Sequence, residues 1–252
     1  MAGVRAHYVV GRVTAGRREA ILSTLPVVHT AGAVRPIECF SAGWQLVRPQ
    51  YLLMVGISTG AIVVGSMAPL GLLLGPLMCG LYLCLFALMR GERVELGLLS
   101  KGFDHFVPSL IATLIQLVPM LIVLLPAYLA LMVLFVMAGV AGARDHAAAG
   151  PALGVVVVLA IALFLFLMLV SVVVGVFFAF TYPLIVDRRL SGWDACRTSA
   201  RAVRANLGGM LGLVLLNLVL GMVGMLLCYV GALFVLPIGF GALAVAYRRV
   251  FP

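Results

Sequence analysis

Charge is scarce in this sequence, and acidic charge scarcest. Eight Asp and Glu stand against 17 Lys and Arg in 252 residues, and 10% of the chain is charged, where a soluble domain carries about a quarter. Four long stretches, 51–89, 107–143, 152–186 and 207–247, contain no Asp, Glu, Lys, Arg or His. Ionisable groups inside the membrane mark proton relays, ion coupling and buried catalysis. Their absence argues against a proton-driven pump and an intramembrane protease. C-x-x-C spacing is missing too. Cys39, Cys79, Cys84, Cys196 and Cys228 are scattered in or beside apolar runs, which indicates neither a zinc site nor a disulfide framework. They read as small hydrophobes. There is no P-loop, no Gly-rich nucleotide fingerprint and no nucleic-acid motif. No catalytic residue, metal site or cofactor is assigned, and no nucleic-acid partner is expected.

What the chain does have is apolar surface: 64% of its residues, with a mean hydropathy of +1.23. No soluble core could hide so much, so the expected class is a polytopic, all-α transmembrane bundle. Residues 1–35 carry Arg5, Arg12, Arg17 and Arg18 around the short "AILSTLPVV". That stretch is short for the apolar core of a signal peptide, so a signal peptide is not expected here. Residues 1–35 read as a loosely ordered cytoplasmic lead-in, and residues 36–252 as a single transmembrane domain.

The uncharged runs predict six spans. Residues 51–89 are broken by "GSMAPLG", where Pro69 and its flanking glycines favour a turn, giving a hairpin. The run 107–143, punctuated by Pro108, Pro119 and Pro126, and the run 152–186 could each be one long, kinked span or two short ones; the second has no Gly-Pro break near its centre, which favours single long helices. The run 207–247 divides around "CYVG" into a second hairpin. With the N-terminus inside, all but one of the 17 basic residues are cytoplasmic and only Arg144 lies outside, beside Asp145 and His146. The opposite orientation would translocate almost every arginine. The positive-inside rule therefore predicts cytoplasmic N- and C-termini.

The connector "DRRLSGWDACRTSARAVRAN", residues 187–206, holds five arginines. The plain reading is a topology signal. The spacing suggests more: Arg197, Arg201 and Arg204 recur at i, i+4 and i+7, on one helical stripe. Cys196, Ala200 and Val203 form a neighbouring stripe, with Trp193 between. A helix over 191–205 would be a basic amphipathic element suited to anionic lipid. The same grammar occurs before the first hairpin, where Gly43, Trp44 and Arg48 repeat the interval of Gly192, Trp193 and Arg197. An interfacial helix followed by a hairpin is thus a candidate internal repeat, although any membrane hairpin can carry tryptophan and arginine at its ends. Trp44, Arg48, Trp193, Arg197, Arg201 and Arg204 are the candidate lipid- or partner-contacting residues.

Within the apolar runs, Gln116 and Asn217 are the costliest groups to bury. They are expected to hydrogen-bond across helix interfaces, or to contact a substrate. The His105–Asp104 pair at the entry to the third span has no nucleophile nearby in sequence and reads as solvated. Gly56 with Gly60, and Gly71 with Gly75, fit close helix packing within the hairpin or between subunits.

The stretch "YPLIVDRRLSGWDACRTSARAVRANLGGMLGLVLLN" and the terminal "AYRRVF" resemble a group of bacterial integral membrane proteins. These are similar to the membrane domain attached to some glycerophosphoryl diester phosphodiesterases and to small YciC-like inner-membrane proteins. The resemblance covers roughly residues 36–252. It is carried by Asp187 and Arg188, the Trp-Arg helix and the terminal Tyr-Arg. It implies a bacterial inner membrane and a six-helix bundle, and it brings no catalytic residues. The expected role is non-enzymatic: envelope organisation, or service as the membrane partner of another factor, with anionic lipid, a protein or a second copy as partner. The alternative is a permease or lipid-translocating channel, with Thr113, Gln116, Ser171 and Asn217 lining a path. An enzyme would need a site built from Asp104, His105, Asp187 and the arginines.

Overall fold

A computed structural model describes residues 29–67, 71–144, 146–226 and 230–252. Residues 1–28, the centre of the "GSMAPLG" break, Asp145 and the Leu227–Tyr229 part of the last break lie outside the described residues. Among the described residues all regular structure is helical. The helices are α1 (Pro36–Val47), α2 (Tyr51–Met67), α3 (Leu74–Met89), α4 (Leu96–Ser100), α5 (Phe106–Arg144), α6 (His146–Phe177), α7 (Thr181–Arg188), α8 (Gly192–Ala205), α9 (Leu207–Leu226) and α10 (Val230–Val250). Short 3-10 segments, Arg48–Gln50 and Lys101–His105, join α1 to α2 and α4 to α5.

Five stretches are helical, long and apolar enough to cross a membrane: Pro36–Met67, Leu96–Val140, Leu153–Arg188, Leu207–Leu226 and Gly231–Val250. The expected sixth, α3, has 16 residues, or about 24 Å of helix, against ~30 Å of hydrocarbon. The run 107–143 lies within one helix, α5, as expected, but the run 152–186 is broken by a turn at 178–180, between α6 and α7. α5 has 39 residues despite Pro119 and Pro126, and α6 has 32. Over most of their length these two pack on each other, leaving apolar side chains such as Ile122, Phe135, Val158, Phe164 and Leu169 more than half exposed. Such surface is stable only in an apolar surround.

The buried core lies at the other end, where α1, α3, α7, α8 and α10 converge. Tyr247 is its centre, with ring centroids 5.7 Å from Phe86, 6.0 Å from Phe180 and 5.1 Å from Phe251. The packed chain begins before residue 36. Thr30 N–H donates to the Val250 carbonyl at 2.9 Å, and Val34 is buried.

α1 does not turn aside from the first hairpin as a separate helix. The backbone stays in the right-handed helical region from α1 through Arg48 to Tyr51, so α1 and α2 form one 32-residue rod. Pro49 is accommodated by the 3-10 segment. α8 and α9, in contrast, are separated at Asn206, where φ is −126° and ψ is 23°. The two copies of the Gly-Trp grammar therefore differ at their exits.

Candidate functional site

α8 is the element that the connector's arginines predicted, and local sequence explains both of its ends. The Ser191 hydroxyl accepts from Asp194 N–H at 3.2 Å and donates to the Asp194 carboxylate at 2.7 Å. This N-cap satisfies an otherwise orphaned donor. Asp194 also puts negative charge in the first turn, where the helix dipole favours it. At the far end Asn206 closes the helix, with its own N–H bonded to the Val203 carbonyl.

The helix has two sharply different faces. Gly192, Ala195, Cys196, Ser199, Ala202 and Val203 are buried, against α5, α7 and the end of α6. Small residues let the backbones approach: a Cβ on Gly192 would collide with the Pro108 carbonyl and come within 2.9 Å of Ala112 N. Ser199 ties the helix to the turn after α6, accepting from Phe180 N–H at 3.1 Å and donating to the Phe177 carbonyl at 2.8 Å. The opposite face carries Trp193, 61% exposed, with exposed Arg197, Arg201 and Arg204. The Arg204 guanidinium lies 5.8 Å from the Phe177 ring centroid, so it is partly held, while Arg197 and Arg201 project freely. Ala200 is half-buried, so the true inner face is centred on Ser199 and Ala202, beside the stripe that spacing suggested.

The matching Gly-Trp pair on α1 uses the same device on another partner. A Cβ on Gly43 would strike the backbone of Ala242 in α10. Trp44 next to it is 41% exposed and meets Tyr51 edge-on at 5.2 Å. Arg48 is exposed.

A polar clamp stands behind α8. Asp187 at the end of α7 accepts from the Tyr247 hydroxyl at 2.7 Å and pairs with Arg248 at 2.9 Å and Arg188 at 3.4 Å. Arg248 in turn sits 4.6 Å from the Phe86 ring centroid. Residues that carried the family resemblance, separated by 60 positions, thus meet in space. Neither His105 nor Asp104 is among the partners of Asp187, and no group of three or more metal-ligating side chains occurs among the described residues. In the connector after α3, Arg90 hydrogen-bonds both Glu92 oxygens, at 2.7 and 2.9 Å, and holds that carboxyl below its usual range.

Sequence reasoning missed a second anchor, Asn206. Its carbonyl accepts from Ala33 N–H at 2.9 Å. Its amide donates to the Thr30 carbonyl at 3.0 Å and the Ala202 carbonyl at 2.9 Å. The one local signal was its place at a helix end, where asparagine is favoured.

The polar residues proposed to line a path are not brought together. Gln116 buries its amide nitrogen without a partner among the described residues; Thr113, one turn before it, makes the cross-helix contact instead, to the Tyr182 hydroxyl at 3.1 Å. Asn217 lines a separate cavity of about 520 Å³ between α6, α9 and α10, to which Gln116, Thr113 and Ser171 do not contribute. Of the two glycine pairs, Gly75 packs on Thr113 and Ser109 of α5, Gly71 sits in a turn at φ +65°, and a Cβ on Gly56 or Gly60 would meet nothing within 4 Å among the described residues.

Among the described residues the fold is therefore all-helical, with five helices suited to crossing a membrane, buttressed at one end by a polar and aromatic core. Residues 39–249 match the family described as a domain of unknown function, DUF7847, and the chain belongs to it. No curated protein and no solved structure matches the chain.

Proposed function

We propose that this protein is a non-enzymatic component of the bacterial inner membrane, with six spans and both termini in the cytoplasm. In this reading α3 completes the first hairpin as a short sixth span. The exposed face of α8 gathers anionic lipid, or the acidic surface of a protein partner, beside the bundle. The likeness to phosphodiesterase-linked membrane domains and YciC-like proteins accords with such a role. The observation that carries the reading is the division of α8. A buried small-residue face fixes the helix rigidly, which leaves Trp193, Arg197, Arg201 and Arg204 displayed for something outside the chain.

Each basic residue near an anionic surface contributes about 1 kcal/mol, so three arginines amount to roughly a hundredfold local preference. The combined change Arg197→Gln, Arg201→Gln, Arg204→Gln should leave insertion and orientation intact, because Arg188 and Arg189 remain. Phosphatidylglycerol and cardiolipin co-purifying with the protein should fall. Unchanged lipid and partner recovery would reduce the stripe to a topology signal.

A permease or lipid-translocating channel is the second reading, favoured by the cavity beside Asn217. It predicts a gradient-dependent flux in liposomes that Gln116→Leu or Asn217→Leu abolishes. The separation of Gln116 from that cavity supports the first reading.

A further inference from the structure

The cavity between α6, α9 and α10 has a shape and chemistry of its own. Among its lining residues Asn217 is the single polar side chain. Gly175 and Gly221 hollow out its walls, since a Cβ at either would meet nothing within 4 Å. Gly239 makes the seat for the amide: a Cβ there would occupy the place of the Asn217 side chain. The rim is made of Met168, Leu218, Met222 and Met225, which are 41–62% exposed and continuous with the apolar belt of α5 and α6. A groove opening onto that belt opens onto hydrocarbon, and flexible methionines suit an irregular apolar occupant.

Depth fixes what the amide meets. Gly212 abuts Pro36, whose ring would lie 2.6 Å from an added Cβ. Beside Pro36 stand the ion pairs of Glu38 with Arg35 at 3.0 Å and Arg249 at 2.9 Å, a charged collar that belongs outside hydrocarbon. Asn217 is five residues beyond Gly212, about 7–8 Å along the helix, which is the level of lipid ester groups below a headgroup. From Asn217 to Met225 the groove runs about 12 Å further, close to the ~15 Å of one leaflet. An amide facing hydrocarbon is costly unless it finds a partner.

We propose that this groove holds one acyl chain of a glycerophospholipid, the Asn217 amide donating a hydrogen bond to the chain's ester carbonyl. The inference rests on the membrane reading of the protein and is independent of the α8 arginines. Recovery of the protein from cells without detergent would overturn the membrane reading itself.

The test uses full-length protein in non-ionic detergent, offered equal amounts of diester and diether phosphatidylcholine of matched chain length. Both headgroups are zwitterionic, so the arginine stripe does not discriminate between them. Native mass spectrometry should show one retained lipid, with ester preferred over ether about fivefold, the value of one hydrogen bond. Asn217→Leu should keep the lipid and lose the preference. Gly175→Leu and Gly221→Leu, each checked by thermal unfolding, should fill the groove and lower retention about tenfold. No ester preference in the unaltered protein, an undiminished preference in Asn217→Leu, or undiminished lipid in both filled variants would overturn the proposal.

Discussion

Asp187 is the residue on which most of the polar end depends. Its carboxylate is mostly buried and receives a phenol and two guanidinium groups. Removing one partner of such a network costs more than its pairwise contacts suggest, because the remaining groups stay desolvated. Asp187→Asn keeps an acceptor for Tyr247 but cancels the charge, and should lower stability by about 1–3 kcal/mol, read as the thermal unfolding midpoint in detergent. Tyr247→Phe, which keeps the ring among Phe86, Phe180 and Phe251, should cost about 1 kcal/mol. No loss in Asp187→Asn would show that the ion pairs contribute nothing. Two residues further on, Arg189 ends α7 at φ +51°, a left-handed conformation that glycine adopts without the steric cost borne by arginine. Arg189→Gly should therefore raise the midpoint slightly, and a fall would show that its guanidinium matters more than its backbone.

At the scale of elements, the two Gly-Trp pairs show what a short motif can and cannot say. Gly43 and Gly192 both lie where a neighbouring backbone passes too close for a side chain, and both tryptophans remain outside. The repeated interval was visible in the sequence, though not the close approach at its glycines. Their partners, α10 and α5, were not visible either, because a short motif leaves open which helix packs against it. The Gly56–Gly60 pair looked like the same signal and is open to the outside. Gly43→Ala should therefore destabilise the protein by about 2 kcal/mol or more, as overpacking does. Gly56→Ala should be neutral or stabilise by about 0.5–1 kcal/mol, since alanine is the better helix former. Parity between the two, measured by chemical unfolding in the same detergent, would contradict this assignment. The continuity of α5 and of most of α6 was legible for a simpler reason, since no Gly-Pro pair interrupts either charge-free run; α5 stays helical through Pro119 and Pro126, packed on α6, while the turn at 178–180 carries no such signal.

For the whole molecule, the charge-free runs disclosed helices and their order, since nothing but an apolar surround tolerates them. They did not disclose that α3 has only 16 residues, because the turn expected at "GSMAPLG" runs on through the apolar Leu72 and Leu73. Nor did they disclose the groove, whose glycines come from three different helices and form no motif. Topology remains testable by thiol labelling. Cys196 is a poor reporter of sidedness, being buried, so the exposed position Ala205 should replace it. In a background lacking native cysteines, a membrane-impermeant reagent should reach His146→Cys from outside and miss Ala205→Cys until the membrane is opened. Labelling of Ala205→Cys in intact cells would invert the orientation.

The contacts of Asn206 with Thr30 and Ala33 span 176 and 173 positions, and that of Arg249 with Glu38 spans 211. On a ribosome this means that the segment around Thr30 to Glu38 waits for partners made long after it. The bundle has no local way to close its polar end. Emergence of α10, rather than insertion of any earlier helix, sets the moment at which this end can close, and loop-closure entropy of this size makes that step slow.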